Sequence, residues 1–254
     1  MMRNLAKFPC ILVTLALATP AFSQSFDIGG LPAIVTEQGT NGDVTYSLSL
    51  QILALMTAVT LLPSLVLGMT SFTRIIIVLS ILRQALGTQQ TPPNQVLIAI
   101  ALFLSLFIMQ PTLTEIYNVA LSPFLAETMS AEIAIVEASS VMKDFMIANT
   151  RTDTLLMFSD LAGADGYDDN ADIPFSTLLP SFITSELKTA FQIGFLLFLP
   201  FLVIDMVIAS ILMALGMMML SPMLVSLPFK LLLFVLVDGW ALTVGSLAAT
   251  FVAT

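Results

Sequence analysis

TAFQIGFLLFLPFLVIDMVIASILMALGMMMLSPMLVSLPF, residues 189–229, carries one charge in its whole length, Asp205. At a rise of ~1.5 Å per residue a helix of this length reaches about 60 Å, roughly twice the hydrocarbon thickness of a bilayer. The run GMMMLSP, residues 216–222, breaks it in two, because glycine and proline interrupt helical hydrogen bonding. The stretch therefore reads as a hairpin of apolar helices, and the second arm continues through Lys230 and Asp238. Asp205 and Lys230 carry opposite charges on either side of the break, and the midpoint between them falls between Met217 and Met218. A hairpin folded there puts both at one depth, about 19 Å from the tip, where each can neutralise the other. The alternatives are that each pairs with another subunit or reaches water independently.

The rest of the chain has the same character. Of 254 residues, 57% are hydrophobic and 10% charged, with mean hydropathy +1.00. Seventeen acids face eight bases, a formal charge of -9, which is the wrong sign for nucleic-acid binding. There is no histidine, so His-based acid–base catalysis and His metal sites are excluded. The one cysteine, Cys10, forms neither an internal disulfide nor a thiolate cluster. A multi-pass membrane protein with no enzymatic activity is expected, binding no cofactor and no metal.

The charge is concentrated. Residues 111–185 hold eleven acids and two bases, while the remaining acids and bases balance at six each. One block is acidic and water-facing. Ahead of it, Arg3 and Lys7 precede a nine-residue apolar run, 10–18, and Ala21-Phe22-Ser23 offers small residues for a signal peptidase, so cleavage is expected before Gln24. Residues 48–69 contain no charge over 22 positions and can span. Residues 70–95 contain Arg74 and Arg83 but no acid, and the turn signal TPP at 91–93 precedes a short apolar run, 96–109. The positive-inside rule then puts Arg74 and Arg83 in the cytoplasm and the acidic block in the periplasm.

The expected organisation is a cleaved signal over 1–23, a periplasmic segment over 24–46 and membrane helices over 47–69, 96–112, 189–213 and 223–250. Between them come a cytoplasmic-side hairpin over 70–95, an acidic periplasmic region over 113–188 and a Met-rich hairpin tip over 214–222. Charges and prolines interrupt these apolar runs, and broken helices are tolerated where protein surrounds them or water lines a cavity. The pattern describes a subunit that completes its core inside an oligomer. Met217, Met218 and Met219 at the tip are flexible core fillers or, if several copies point at one axis, a deformable seal. The acidic run 160–172 has neither the ligand spacing nor the glycine of a calcium-binding EF-hand loop and reads as solvated.

Two blocks carry a family resemblance. LPSFITSELKTAFQIGFLLFLPFLVIDMVIASILMALGMMMLSPMLVSLPFKLLLFVLVDGWALTVG (179–245) and FTRIIIVLSILRQALGTQQTPPNQVLIAIALFLSLFIMQP (72–111) closely resemble the FliP/SctR-like family, flagellar biosynthetic proteins of the type III export gate. The resemblance implies an all-α fold of broken helices and helical hairpins that assembles into a ring-like or helical complex. It implies several copies of the chain with FliQ and FliR in the gate core, FlhA and FlhB beside it, and unfolded flagellar substrates passing outward across the inner membrane. It makes Met217, Met218 and Met219 a gasket around the channel. Asp205, Lys230 and Glu186 match charged positions tied to assembly or export, and Phe145 and Phe158 match aromatics used in assembly. The alternative functions are the homologous subunit of a virulence injectisome, an ion channel or secondary transporter, and a structural membrane anchor.

Overall fold

The computed structural model describes residues 35–38, 44–47 and 50–252, apart from 89, 165, 166, 168 and 218. The expected signal over 1–23, with Cys10, lies outside the described residues, and so does Met218. The chain divides into two units at Leu62–Pro63. In the first, β1 (Val35–Gln38) pairs antiparallel with β2 (Val44–Ser47), Val35 opposite Ser47, ahead of α1 (Leu50–Gly68), which runs through the division. Nearly all other regular structure is helical.

The second unit is built on two antiparallel hairpins. The first joins α2 (Phe72–Ala85) to α3 (Asn94–Ile116). On α2 the buried side chains Ile75, Val78, Leu79 and Leu82 recur at three- and four-residue spacing, the signature of one apolar helix face. The first three pack with Leu97, Ala101 and Ile108 of α3, while Leu82 joins a second cluster with Phe201 and Phe234. At the turn, Arg83 Nη1 donates to Asn94 Oδ1 at 2.6 Å, and at the open end Ser71 Oγ donates to Ser105 Oγ at 3.0 Å. Such hydroxyl contacts hold closely packed apolar helices together. Beyond Ile116, one π-helical turn (Tyr117–Leu121) and α4 (Ser122–Leu125) prolong α3 well past the expected end at 112.

α5 (Ala131–Ala148) and α6 (Thr152–Leu161) follow. Then comes α7 (Phe175–Ala214), a single helix of 40 residues. It begins fourteen positions before the span expected at 189, because Ser181, Ser185, Glu186 and Lys188 lower the hydropathy without breaking the helix. Its end has a physical signature. Gly216, at φ 72°, donates to the Met213 carbonyl at 3.0 Å, and the Met217 N–H donates to the Leu212 carbonyl at 2.9 Å. This double closure requires a left-handed residue, which glycine supplies without strain.

The chain returns along α7 as α8 (Pro222–Leu236) and α9 (Gly239–Val252), two helices bent by 63° where one continuous span, 223–250, was expected. The break sits at Asp238, with φ 50°, followed by Gly239, whose Cα lies against the Phe234 ring; a Cβ there would be 2.2 Å from ring atoms. Residues 94–125 and 175–214 are each long and apolar enough to cross a membrane. With the bent pairs 52–68 with 72–85 and 222–236 with 239–251, the described residues hold up to four such segments if each pair is one span.

Large apolar side chains cover much of the exterior. Phe191, Phe195, Val203 and Met206 of α7 and Val235 and Leu236 of the second arm are all more than half exposed. Surface of this extent marks contact with lipid or other protein.

Candidate functional site

The buried charges of the second unit form two clamps, one at each end of α2. At the α2 C-terminus, Lys230 Nζ donates to Asp205 Oδ2 at 2.6 Å and to the Ala85 carbonyl at 3.0 Å. Ser226, one turn before Lys230 on the same face of α8, donates to Asp205 Oδ1 at 2.6 Å. The ammonium thus sits where the last carbonyls of α2 concentrate partial negative charge, and one carboxylate balances it. The Lys230 side chain is 3% exposed and that of Asp205 32%. One ion pair joins the two arms of the α7–α8 hairpin and fastens both to α2.

At the α2 N-terminus, Arg74 and Glu186 form a two-pronged ion pair. Arg74 Nε donates to Glu186 Oε2 at 2.9 Å and Nη2 donates to Oε1. Arg74 Nη1 also donates to Thr250 Oγ1 at 3.0 Å, and its Cζ lies 3.8 Å from the centre of the Phe251 ring. Planar guanidinium suits this site, matching a carboxylate with two donors while stacking on an aromatic face. Both side chains are 5% exposed or less. Among the described residues every buried side-chain nitrogen and oxygen has a hydrogen-bond partner.

The aromatic residues divide. Phe145 of α5 lies edge-on to Phe182 at 6.2 Å and stacks on Phe251 at 6.5 Å, so it packs directly behind the Arg74 clamp. Phe158, half-buried on α6, joins neither ring. Met217 and Met219 are exposed on the 215–221 tip, Met219 completely. No cluster of three or more metal-ligating side chains occurs among the described residues.

One expectation separates what the structure joins. Assigning residues 70–95 to a cytoplasmic hairpin and 113–188 to a periplasmic region puts Arg74 and Glu186 on opposite sides of a membrane, yet they are in contact. The positive-inside count treats every arginine of the segment as a loop charge. Arg74 instead lies on the buried face of α2, between Ser71 and Val78, and its charge is neutralised inside the protein. An arginine in phase with the apolar positions of an amphipathic helix was the available signal. Thr250, Phe251 and the Ala85 carbonyl, which complete the clamps, carry no such signal in the sequence.

Two helical hairpins, clamped by charge at both ends and apolar outside, define a multi-pass helical membrane protein whose buried polar groups are engaged with one another. Residues 55–247 match the FliP family, and the chain belongs to it. It is 76% identical over 222 residues to the flagellar biosynthetic protein FliP of Cereibacter sphaeroides, covering 87% of this chain and 73% of that one. It is 54% identical over 221 residues to the protein of that name from Pectobacterium carotovorum subsp. carotovorum (87% and 86%), and 52% over 205 residues to that of Bacillus subtilis (81% and 93%).

Proposed function

We propose that this chain is a pore-forming core subunit of the flagellar type III protein-export gate, passing unfolded flagellar subunits across the inner membrane. The observation that carries the reading is membership of the FliP family over 55–247, whose relatives are named flagellar biosynthetic proteins. The exposed apolar surface supports it: a chain with this exterior is completed by lipid and by other subunits. Several copies, with FliQ and FliR, form the core, and FlhA and FlhB deliver substrates to it. The role is conduction and sealing rather than catalysis. Met217, Met218 and Met219 line the narrowest part of the channel, where unbranched thioethers close around nothing and yield to a passing chain. Glu186, Asp205 and Lys230 hold the subunit in the shape it needs for assembly, and Phe145 and Phe158 support that assembly.

The test combines a deletion with a substitution. Cells lacking the gene should build no filament; a motile deletion strain overturns the flagellar assignment. Replacing all three methionines with alanine should let small ions leak across the membrane while the complex still assembles. Unchanged leakage removes the gasket role.

A further inference from the structure

The clamps leave a remainder. Residues 63–112 and 175–252 contain four bases (Arg74, Arg83, Lys188, Lys230) and three acids (Glu186, Asp205, Asp238). Arg74 takes Glu186, Lys230 takes Asp205, and Lys188 takes Asp153 of α6 at 2.6 Å. Among the described residues, Arg83 and Asp238 have no charged partner within ion-pair distance.

Both face outward. Asp238 is exposed at the α8–α9 break, set among the exposed apolar side chains Val235, Leu236 and Trp240. A carboxylate in such surroundings is costly unless a cation meets it. Arg83 uses only Nη1, donating to Asn94 Oδ1 and to the Pro92 carbonyl, so its Nε and Nη2 edge remains open for a two-pronged carboxylate contact. The two residues also share a depth. Leu82, beside Arg83, and Phe234, one turn before Asp238, belong to the same buried cluster, and one helical turn is only about 5 Å.

We propose that Asp238 of one copy pairs with Arg83 of the next, so that the α8–α9 break of each chain docks on the α2–α3 turn of its neighbour. This rests on the multi-copy reading above. Each chain supplies one acid and one base on different elements, the α8–α9 break and the C-terminal end of α2, so the contact is head-to-tail and repeats from copy to copy. A second copy is favoured over lipid because it satisfies both charges with one interaction at one depth. A headgroup would have to neutralise an anion and a cation separately.

The experiment uses two differently tagged full-length copies in one cell, extracted in mild detergent. Arg83→Glu or Asp238→Arg should each lower co-purification of the second tag by at least about tenfold, since like charges then face each other. The double variant should restore it. Because Arg83 also holds the α2–α3 turn, a second measurement leaves that charge pair out. With Cys10→Ser in both copies, Arg83→Cys on one tag and Asp238→Cys on the other should give a product bearing both tags with a short bis-maleimide linker. Co-purification with neither cross-link nor rescue overturns this contact alone. Unmodified copies that never co-purify overturn it together with the multi-copy reading.

Discussion

The two clamps join the same three parts, α2, α7 and the α8–α9 arm, at opposite ends of α2, yet they are built differently. At the N-terminal end a guanidinium meets a carboxylate edge to edge, sealed under Phe251 and Thr250. At the C-terminal end an ammonium is shared between a carboxylate and a helix carbonyl, and the carboxylate reaches the surface. Arginine suits the closed site because its fork fills a flat, two-pronged slot. Lysine suits the open one because a point charge can serve acceptors lying in different directions. The sealed clamp is a fixture of the fold. The open clamp leaves the Asp205 side chain about one-third exposed, so its carboxylate meets the exterior as well as Lys230.

The largest difference should come from breaking the sealed clamp on one side only. Arg74→Ala or Glu186→Ala leaves a charge buried without its partner and should destabilise the chain by about 3–5 kcal/mol, read by thermal unfolding of the full chain in detergent. Arg74→Met with Glu186→Met should recover most of that loss, because an apolar pair of similar volume replaces the desolvated charges. If the double variant is no better than either single one, the ion pair itself, rather than the avoidance of an orphan charge, holds this end together.

The open clamp should respond less. In Lys230→Met, Asp205 keeps the Ser226 hydroxyl and reaches water, so the expected loss is about 1–3 kcal/mol, the desolvation penalty of partners left behind. The Ala85 carbonyl loses its donor in the same step. Asp205→Asn should cost more than Lys230→Met, since it leaves a 97%-buried ammonium with neutral acceptors only. Equal losses would show that exposure of the carboxylate does not distinguish the two sides.

The same contrast explains what could be read from the sequence. Asp205 and Lys230 lie symmetrically about a Gly–Pro break, so counting residues brings them to one depth, and they are 2.6 Å apart. Arg74 and Glu186 are 112 positions apart with no hairpin relating them, so no count along the chain pairs them. Hydropathy marks where apolar residues are, not where helices begin. It therefore missed the polar start of α7 at Phe175 and the continuation of α3 past Ile116. It also treated α2 as loop-side, although the Ile75, Val78, Leu79 and Leu82 stripe identifies a packed helix. The break at Asp238 depends on a left-handed residue and on the Phe234 ring against Gly239, neither of which a run of apolar letters records.

The smallest effect belongs to a third charge group, outside the clamps, and it calibrates them. Asp153 of α6 accepts from Lys188 Nζ at 2.6 Å and from Arg151 Nε at 3.4 Å, with its own side chain more than half exposed. The hydrogen bond from Lys188 is the main reason its carboxyl is held down at about 2, against an ordinary value of 3.8. A depressed carboxyl stabilises the folded state above the unfolded value and loses that contribution as pH falls through the folded one. The loss should therefore fall between pH 3.8 and about 2, and water screening should keep it small. Asp153→Asn should flatten the midpoint-against-pH curve in that window and lower it at pH 7 by the same small amount, matching the unmodified chain only below about pH 2. Arg74→Ala should lower the whole curve at every pH. If Asp153→Asn lowers stability at pH 7 as much as Lys230→Met does, exposure does not rank these ion pairs, and the distinction between sealed and open clamps loses its physical basis.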